Sequence, residues 1–198
     1  MSLLEKIQAR RRCLRTCDTL VTYPDGSQVI ERATEVIPMQ NSTFGFVVDT
    51  KPDPEAAEIL PGKLFLGSQD AVDVERLLRL GVTHVLSVGI ECPILLPPSI
   101  EKHHIACLDV PEYPLYQLVR EARVFINVAR ETGSVLVHCN AGISRSVAIV
   151  VGYLILEEKI PLAEAMEMVR RKRPGAKPND GFMKQLQEIA DKVAGPKT

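Results

Sequence analysis

The sequence predicts an α/β fold, with a central, mostly parallel, twisted sheet flanked by helices in a single domain that carries an N-terminal arm. Three observations predict it. From Lys63 onward, short β-branched runs alternate with helical patterns, the order in which helices connect the strands of a parallel sheet. Val135-Leu136-Val137 is apolar without alternation, as a strand covered on both faces must be. Ser146 to Leu156 is apolar almost all round, which places a helix in the interior.

The elements follow in order. Lys63-Leu64-Phe65-Leu66 reads as a short strand. Asp73 to Leu80 carries leucines at 77, 78 and 80 and reads as a short helix closed by Gly81. Thr83 to Val88 and His104 to Leu108 are strand runs. Leu115 to Glu131 repeats apolar residues at 118, 119, 122, 125, 126 and 129, a helical period. Val135-Leu136-Val137 is the central strand and Ser146 to Leu156 the buried helix. Pro161 to Arg171 forms another helix, with Pro161 at its first turn. Asn179 to Val193 forms the last one, capped by Asn179 or Asp180.

The first fifty residues read differently. Met1 to Arg15 fits a basic helix, Tyr23-Pro24-Asp25-Gly26 a turn, Ser27 to Ile37 a strand, and Thr50 to Pro61, with three prolines and several acids, a linker. The expected organisation is an arm and linker over 1–57, a globular domain over 58–194 and a tail over 195–198.

Composition excludes several classes. The 24 basic and 25 acidic side chains nearly cancel, so no global charge draws the chain to nucleic acid or membrane. No stretch reaches the roughly 18 apolar residues of a membrane span. Met1 to Arg15 lacks the apolar core of a signal peptide, and no Met-Gly start invites myristoylation. A cytoplasmic protein is expected, with the nucleus open to it. The five cysteines, at 13, 17, 92, 107 and 139, are odd in number and irregular in spacing, which argues for reduced thiols. Cys13 and Cys17 have no second Cys or His pair nearby, so no metal site is expected.

The informative segment is Val135-Leu136-Val137-His138-Cys139-Asn140-Ala141-Gly142-Ile143-Ser144-Arg145-Ser146. It runs from a buried strand through a loop into a buried helix, with an Arg six positions after a Cys. The backbone N–H groups of such a loop can curl into an anion-binding nest. The helix adds its positive end. Gly142 permits the torsions of a tight cradle. Arg145 supplies a planar fork for two phosphate oxygens. The donors that hold a phosphate also favour thiolate over thiol at Cys139, and an ionised sulfur can attack phosphorus. Read one at a time, a Cys after a strand is often a small core residue and an Arg at a helix start a solvated charge. The combination at this spacing points to chemistry.

His138 to Ser146 resembles the phosphate-binding loop of the dual-specificity phosphatase family. Leu64-Phe65-Leu66-Gly67-Ser68-Gln69 and Lys177-Pro178-Asn179-Asp180-Gly181-Phe182-Met183-Lys184-Gln185-Leu186 match it further. The resemblance covers about Glu58 to Ala194 and is to the small atypical members, which lack a rhodanese-like docking domain. The arm, with Phe44-Gly45-Phe46-Val47-Val48-Asp49, is similar to that of the type that regulates a stress-activated kinase pathway.

The resemblance implies a fold of the cysteine-phosphatase type and hydrolysis of phosphotyrosine and phosphoserine or phosphothreonine through a phosphocysteine, without metal or cofactor. Catalysis is expected from Cys139 as nucleophile, Arg145 as phosphate clamp, Asp109 as acid and then base, and Ser146 as hydrogen-bond donor to the departing sulfur. Asn140, Ala141, Gly142, Ile143, Ser144 and Arg145 would bind the phosphoryl group. His138 would order the loop, and Asn179 would either brace the site or only cap its helix. Asp109 lies 30 residues before Cys139, and Glu112 on the same segment is its rival. Expected partners are a phosphorylated protein and kinases of a MAP kinase pathway, with no nucleic acid or membrane.

The variable loop residues Asn140, Ala141, Ile143 and Ser144 are uncharged. Inositol-lipid phosphatases of this class carry extra Lys there, and RNA triphosphatase relatives show Arg-Thr-Gly where this chain has Arg145-Ser146-Val147. A single phosphate on a protein fits best. A phosphoprotein-binding scaffold with little turnover is the alternative, weakened because Cys139, Asp109 and Arg145 are all present. Arg170-Arg171-Lys172-Arg173 reads as a solvated helix end or as a docking or nuclear-import patch, and Arg10-Arg11-Arg12 permits the same two readings. Cys107 could resolve an oxidised Cys139.

Overall fold

Val135–His138 is buried at every position and lies in the middle of a five-stranded sheet. Val135 and Val137 join the larger hydrophobic cluster, whereas Leu136 faces a smaller one with Phe65, Leu77 and Val85. Side chains alternate across a sheet, so both faces are covered and the strand has no polar side. The computed structural model describes residues 19–22, 28–32, 35–38, 53–90 and 94–195, the first three segments as backbone strands.

Those three segments are β1 (Thr19–Thr22), β2 (Gln28–Arg32) and β3 (Glu35–Pro38), an antiparallel sheet of order β1-β2-β3. Two strands therefore occupy the stretch expected to hold one. The proposed helix at Met1 to Arg15, Cys13, Cys17, Cys92 and the Phe44–Asp49 motif lie outside the described residues.

Residues from Pro52 onward form a second compact unit. It contains β4 (Ala57–Leu60), β5 (Leu64–Gly67), a short 3-10 turn, α1 (Val74–Arg79), β6 (His84–Val88) and β7 (Glu101–Ile105). It continues with α2 (Leu115–Thr132), β8 (Val135–His138), α3 (Arg145–Leu156), α4 (Leu162–Lys172) and α5 (Asp180–Ala194). The strand order is β4-β5-β8-β6-β7, with β4 antiparallel to β5 and the other pairs parallel. The mostly parallel α/β sheet read from the sequence is the one observed.

Two elements differ from the sequence reading. Strand β4 lies inside the stretch read as a linker, because its prolines flank the strand rather than interrupt it. Strand β7 begins at Glu101, three residues before the expected start, and Leu108 lies beyond its end. Among the described residues it is an edge strand with β6 as its sole partner, so a polar run such as Glu101-Lys102-His103-His104 can pair there without an apolar signature.

Helix α3 is the interior helix expected. Its residues Ser146 to Ile155 are all buried, and it packs against α2, α4 and α5. Each fully buried Val, Ile or Leu side chain contributes about 1.5–3 kcal/mol, which anchors the helix whose first residue is Arg145. Among the described residues, no helix is long and apolar enough to cross a membrane.

Candidate active site

The loop between β8 and α3 folds around a sulfur. Cys139 Sγ accepts hydrogen bonds from the Gly142 N–H and from Ser146 Oγ, each at 3.2 Å. The residue is 4% exposed, so the sulfur lies at the floor of the loop.

The loop's carbonyls turn the other way. Asn140 O accepts from Gln69 N at 2.9 Å and Ile143 O from Lys177 N at 2.9 Å. Ala141 O accepts from Arg173 Nη2 at 3.1 Å and Gly142 O from Arg173 Nε at 2.6 Å. In a planar trans peptide, the N–H of the next residue points opposite the carbonyl. The amides of Ala141, Gly142, Ile143 and Ser144 therefore point inward, and the Gly142 N–H reaching the sulfur is a direct instance. Four convergent amides at a helix start form a nest for an anion.

Gly142 makes the curvature possible. Its φ is +66°, and a Cβ there would stand 2.6 Å from Gly67 O and collide with Arg173. No other residue combines that torsion with that approach.

Arg145 begins α3, and its Nε is buried with no hydrogen-bond partner among the described residues. The nearest acid is Asp109, whose Oδ2 lies 3.7 Å from that nitrogen. Asp109 Oδ1 accepts from Ser144 Oγ at 2.7 Å and from Asn179 Nδ2 at 2.8 Å. Asp109, rather than Glu112, is the carboxylate brought against the loop. Glu112 is exposed and has no hydrogen bond or ion pair among the described residues.

Asn179 makes two contacts with different atoms. Its Oδ1 accepts from Phe182 N at 2.8 Å and caps α5, while its Nδ2 holds Asp109. The same helix braces the segment beyond Asp109. Gln185 Nε2 donates to Pro111 O at 3.1 Å and to Tyr113 O at 2.9 Å, and a Cβ on Gly181 would collide with Pro111.

His138 is buried and bonded at both ring nitrogens. Nε2 meets Ser87 Oγ at 2.7 Å and Nδ1 meets Cys139 O at 3.4 Å. Burial pushes its pKa down to about 4, so the imidazole is neutral at physiological pH. That suits ordering the loop. Cys107 is also buried, and burial pushes its thiol up to about 11 against the opposing pull of Arg145.

Two features were not read from the sequence. Ser144, taken as a phosphate-loop residue, also ties the loop to Asp109 and accepts from Asn179 N at 3.1 Å. Arg173 was read with the basic run as a solvated charge or docking patch. It is 8% exposed and serves the loop's carbonyls, while Arg170, Arg171 and Lys172 are exposed. One signal was available: Arg173 continues the buried stripe of Ala165 and Val169 at a spacing of four.

The chain is similar to several known proteins. Residues 64–192 match the family model described as dual specificity phosphatase, catalytic domain. Mouse dual specificity protein phosphatase 19 is 39% identical over an alignment of 198 residues that covers 94% of this chain and 89% of that protein. MAP kinase phosphatase with leucine-rich repeats protein 3 of Dictyostelium discoideum is 37% identical over 139 residues, covering 69% of this chain and 16% of that one. The crystal structure of human DUSP28 is similar, with a TM-score of 0.66 and 32% identity, covering 71% of this chain and 95% of that chain.

Proposed function

We propose that this chain, which belongs to the dual specificity phosphatase family, hydrolyses phosphate monoesters on proteins through a phosphocysteine at Cys139, with no metal in the chemical steps. The observation that carries the reading is the inward set of four amides around Cys139 Sγ, together with a buried Arg145 Nε that has no hydrogen-bond partner among the described residues. Both are donors suited to an anion, one set in the loop that follows Cys139 and the other at the start of α3.

In the first step, Cys139 Sγ attacks phosphorus and the bond to the leaving oxygen breaks. Asp109 delivers a proton to that oxygen. Its Oδ1 already accepts two hydrogen bonds, so Oδ2 is the oxygen suited to carry the proton. In the second step, Asp109 takes a proton from water as water attacks the phosphocysteine. Ser146 Oγ donates to the sulfur as it departs with its electron pair. The loop amides and Arg145 hold the non-bridging oxygens in both steps, where charge develops.

Asn140, Ala141 and Ile143 are exposed and uncharged. A loop of this kind suits a single phosphate on a protein side chain better than a polyphosphorylated headgroup. The similarity to a Dictyostelium MAP kinase phosphatase supports kinases of a MAP kinase pathway as substrates.

The test is release of phenol from an aryl phosphate in the presence of a chelator, comparing the chain with Cys139→Ser. Turnover lost in the variant is expected. Turnover retained by Cys139→Ser, or abolished by chelator, would overturn the scheme. Folded, reduced protein with no turnover in either form would favour a phosphoprotein-binding scaffold.

A further inference from the structure

One buried side chain grips the loop from outside, and we infer that Arg173 is the positioning residue that sets the loop's inward amides. The inference rests on the reading of Cys139 as nucleophile. Arg173 Nε donates to Gly142 O at 2.6 Å and Nη2 to Ala141 O at 3.1 Å, so one rigid fork spans two successive carbonyls. Nη1 reaches Glu55 O at 3.4 Å, and Nη2 is also paired with Asp53.

The fork is itself held. Asp53 O accepts from Ser68 Oγ at 2.7 Å, and Asp53 N donates to Asp70 Oδ2 at 3.1 Å. The grip therefore runs from the segment that follows β5, through Asp53, to Arg173 and the loop. The Asp53 carboxylate offsets the guanidinium charge, so Arg173 acts on the site through peptide orientation more than through its own field. Turning the carbonyls of Ala141 and Gly142 outward turns the N–H groups of Gly142 and Ile143 inward. The first of these reaches Cys139 Sγ at 3.2 Å.

A lysine cannot reproduce this. Its single ammonium nitrogen lacks the planar fork that reaches two carbonyls and a carboxylate at once. If Arg173 served only to complement the end of α4, a lysine would do nearly as well. The two roles therefore separate in Arg173→Lys.

The experiment uses the full chain with Arg173→Lys, Arg173→Ala and Asp53→Asn. Three quantities are read: the pH profile of Cys139 alkylation by iodoacetate, inhibition by vanadate, and kcat/KM for an aryl phosphate. Arg173→Lys is expected to unfold cooperatively and to lose about tenfold or more in kcat/KM, with vanadate inhibition weakened in parallel. The midpoint of its alkylation profile should move to higher pH, because fewer amides point at the sulfur. Added guanidinium should restore part of the activity of Arg173→Ala. Asp53→Asn should show the same changes at smaller size.

A wild-type alkylation midpoint and vanadate inhibition in Arg173→Lys would overturn the inference, even if turnover fell with the folded fraction. If Arg173→Ala fails to fold, Arg173→Lys and Asp53→Asn decide by the same readouts. Failure of the underlying reading looks different: Cys139→Ser would turn over as fast as wild type, and both conclusions would fall together.

Discussion

Asn179 Nδ2 donates to Asp109 Oδ1 at 2.8 Å while Asn179 Oδ1 caps α5 through Phe182 N. One side chain thus serves a helix start and the proposed acid, and the two duties use different atoms. Asn179→Asp keeps an oxygen for the cap but removes the donor and sets a second carboxylate against Asp109. Its thermal midpoint should stay near wild type, while kcat falls for substrates with poor leaving groups. Asn179→Ala should lose both, including about 1 kcal/mol of cap stability. Thermal melts beside turnover of an alkyl and a nitrophenyl phosphate separate the duties. Equal melting points for the two variants would refute the division.

Asp109 makes a sharper prediction. The acid matters in proportion to the basicity of the leaving oxygen. Asp109→Asn should cut kcat by about a hundredfold or more for an alkyl phosphate and much less for a nitrophenyl phosphate. Glu112→Gln should leave both nearly unchanged, since Glu112 is exposed and makes no hydrogen bond or ion pair among the described residues. A plot of rate against leaving-group pKa for the three proteins checks this, and a steep slope in Glu112→Gln would reverse the assignment.

The legible part of the site was the part that is local in sequence. Cys139 to Ser146 is one strand-loop-helix passage, so its residue types and spacing announce a nest. Asp109 was reachable through family resemblance, because its 30-residue separation has no periodicity of its own. Arg173 was hidden by its neighbours: three exposed cations made it look like the end of a charged run, and only the helical stripe marks it as buried. Strand β4 was hidden by prolines that flank it, and β7 by the polar sequence an edge position tolerates. In each case the missing information was the tertiary neighbour.

His138 predicts a pH dependence of stability. Burial holds its folded pKa at about 4 against an ordinary value of 6.5. Between those values the unfolded chain binds a proton that the folded chain does not. Its contribution is therefore complete above about pH 6.5 and is lost as the pH falls toward 4. Between pH 7 and pH 5 the loss from this residue amounts to about 2 kcal/mol. Urea unfolding at the two pH values should show that difference in wild type. It should be reduced in His138→Asn, which keeps a polar group near Ser87 and does not titrate. An unchanged pH difference in His138→Asn would mean that other groups carry it.

Cys107 shares the buried interior with Cys139 but differs in readiness to react. Burial pushes its thiol to about 11. Near neutral pH roughly one molecule in ten thousand would carry the thiolate at that position. Attack on an oxidised Cys139 needs that thiolate, so disulfide formation should be slow. Peroxide should therefore inactivate wild type and Cys107→Ser at similar rates, and thiol reductant should recover both to similar extents before over-oxidation sets in. Mass spectrometry of the inactivated wild type at pH 7 should find oxidised Cys139 without a bridge to Cys107. A Cys107–Cys139 disulfide as the main product, or faster irreversible loss in Cys107→Ser, would show instead that Cys107 guards the nucleophile despite its burial.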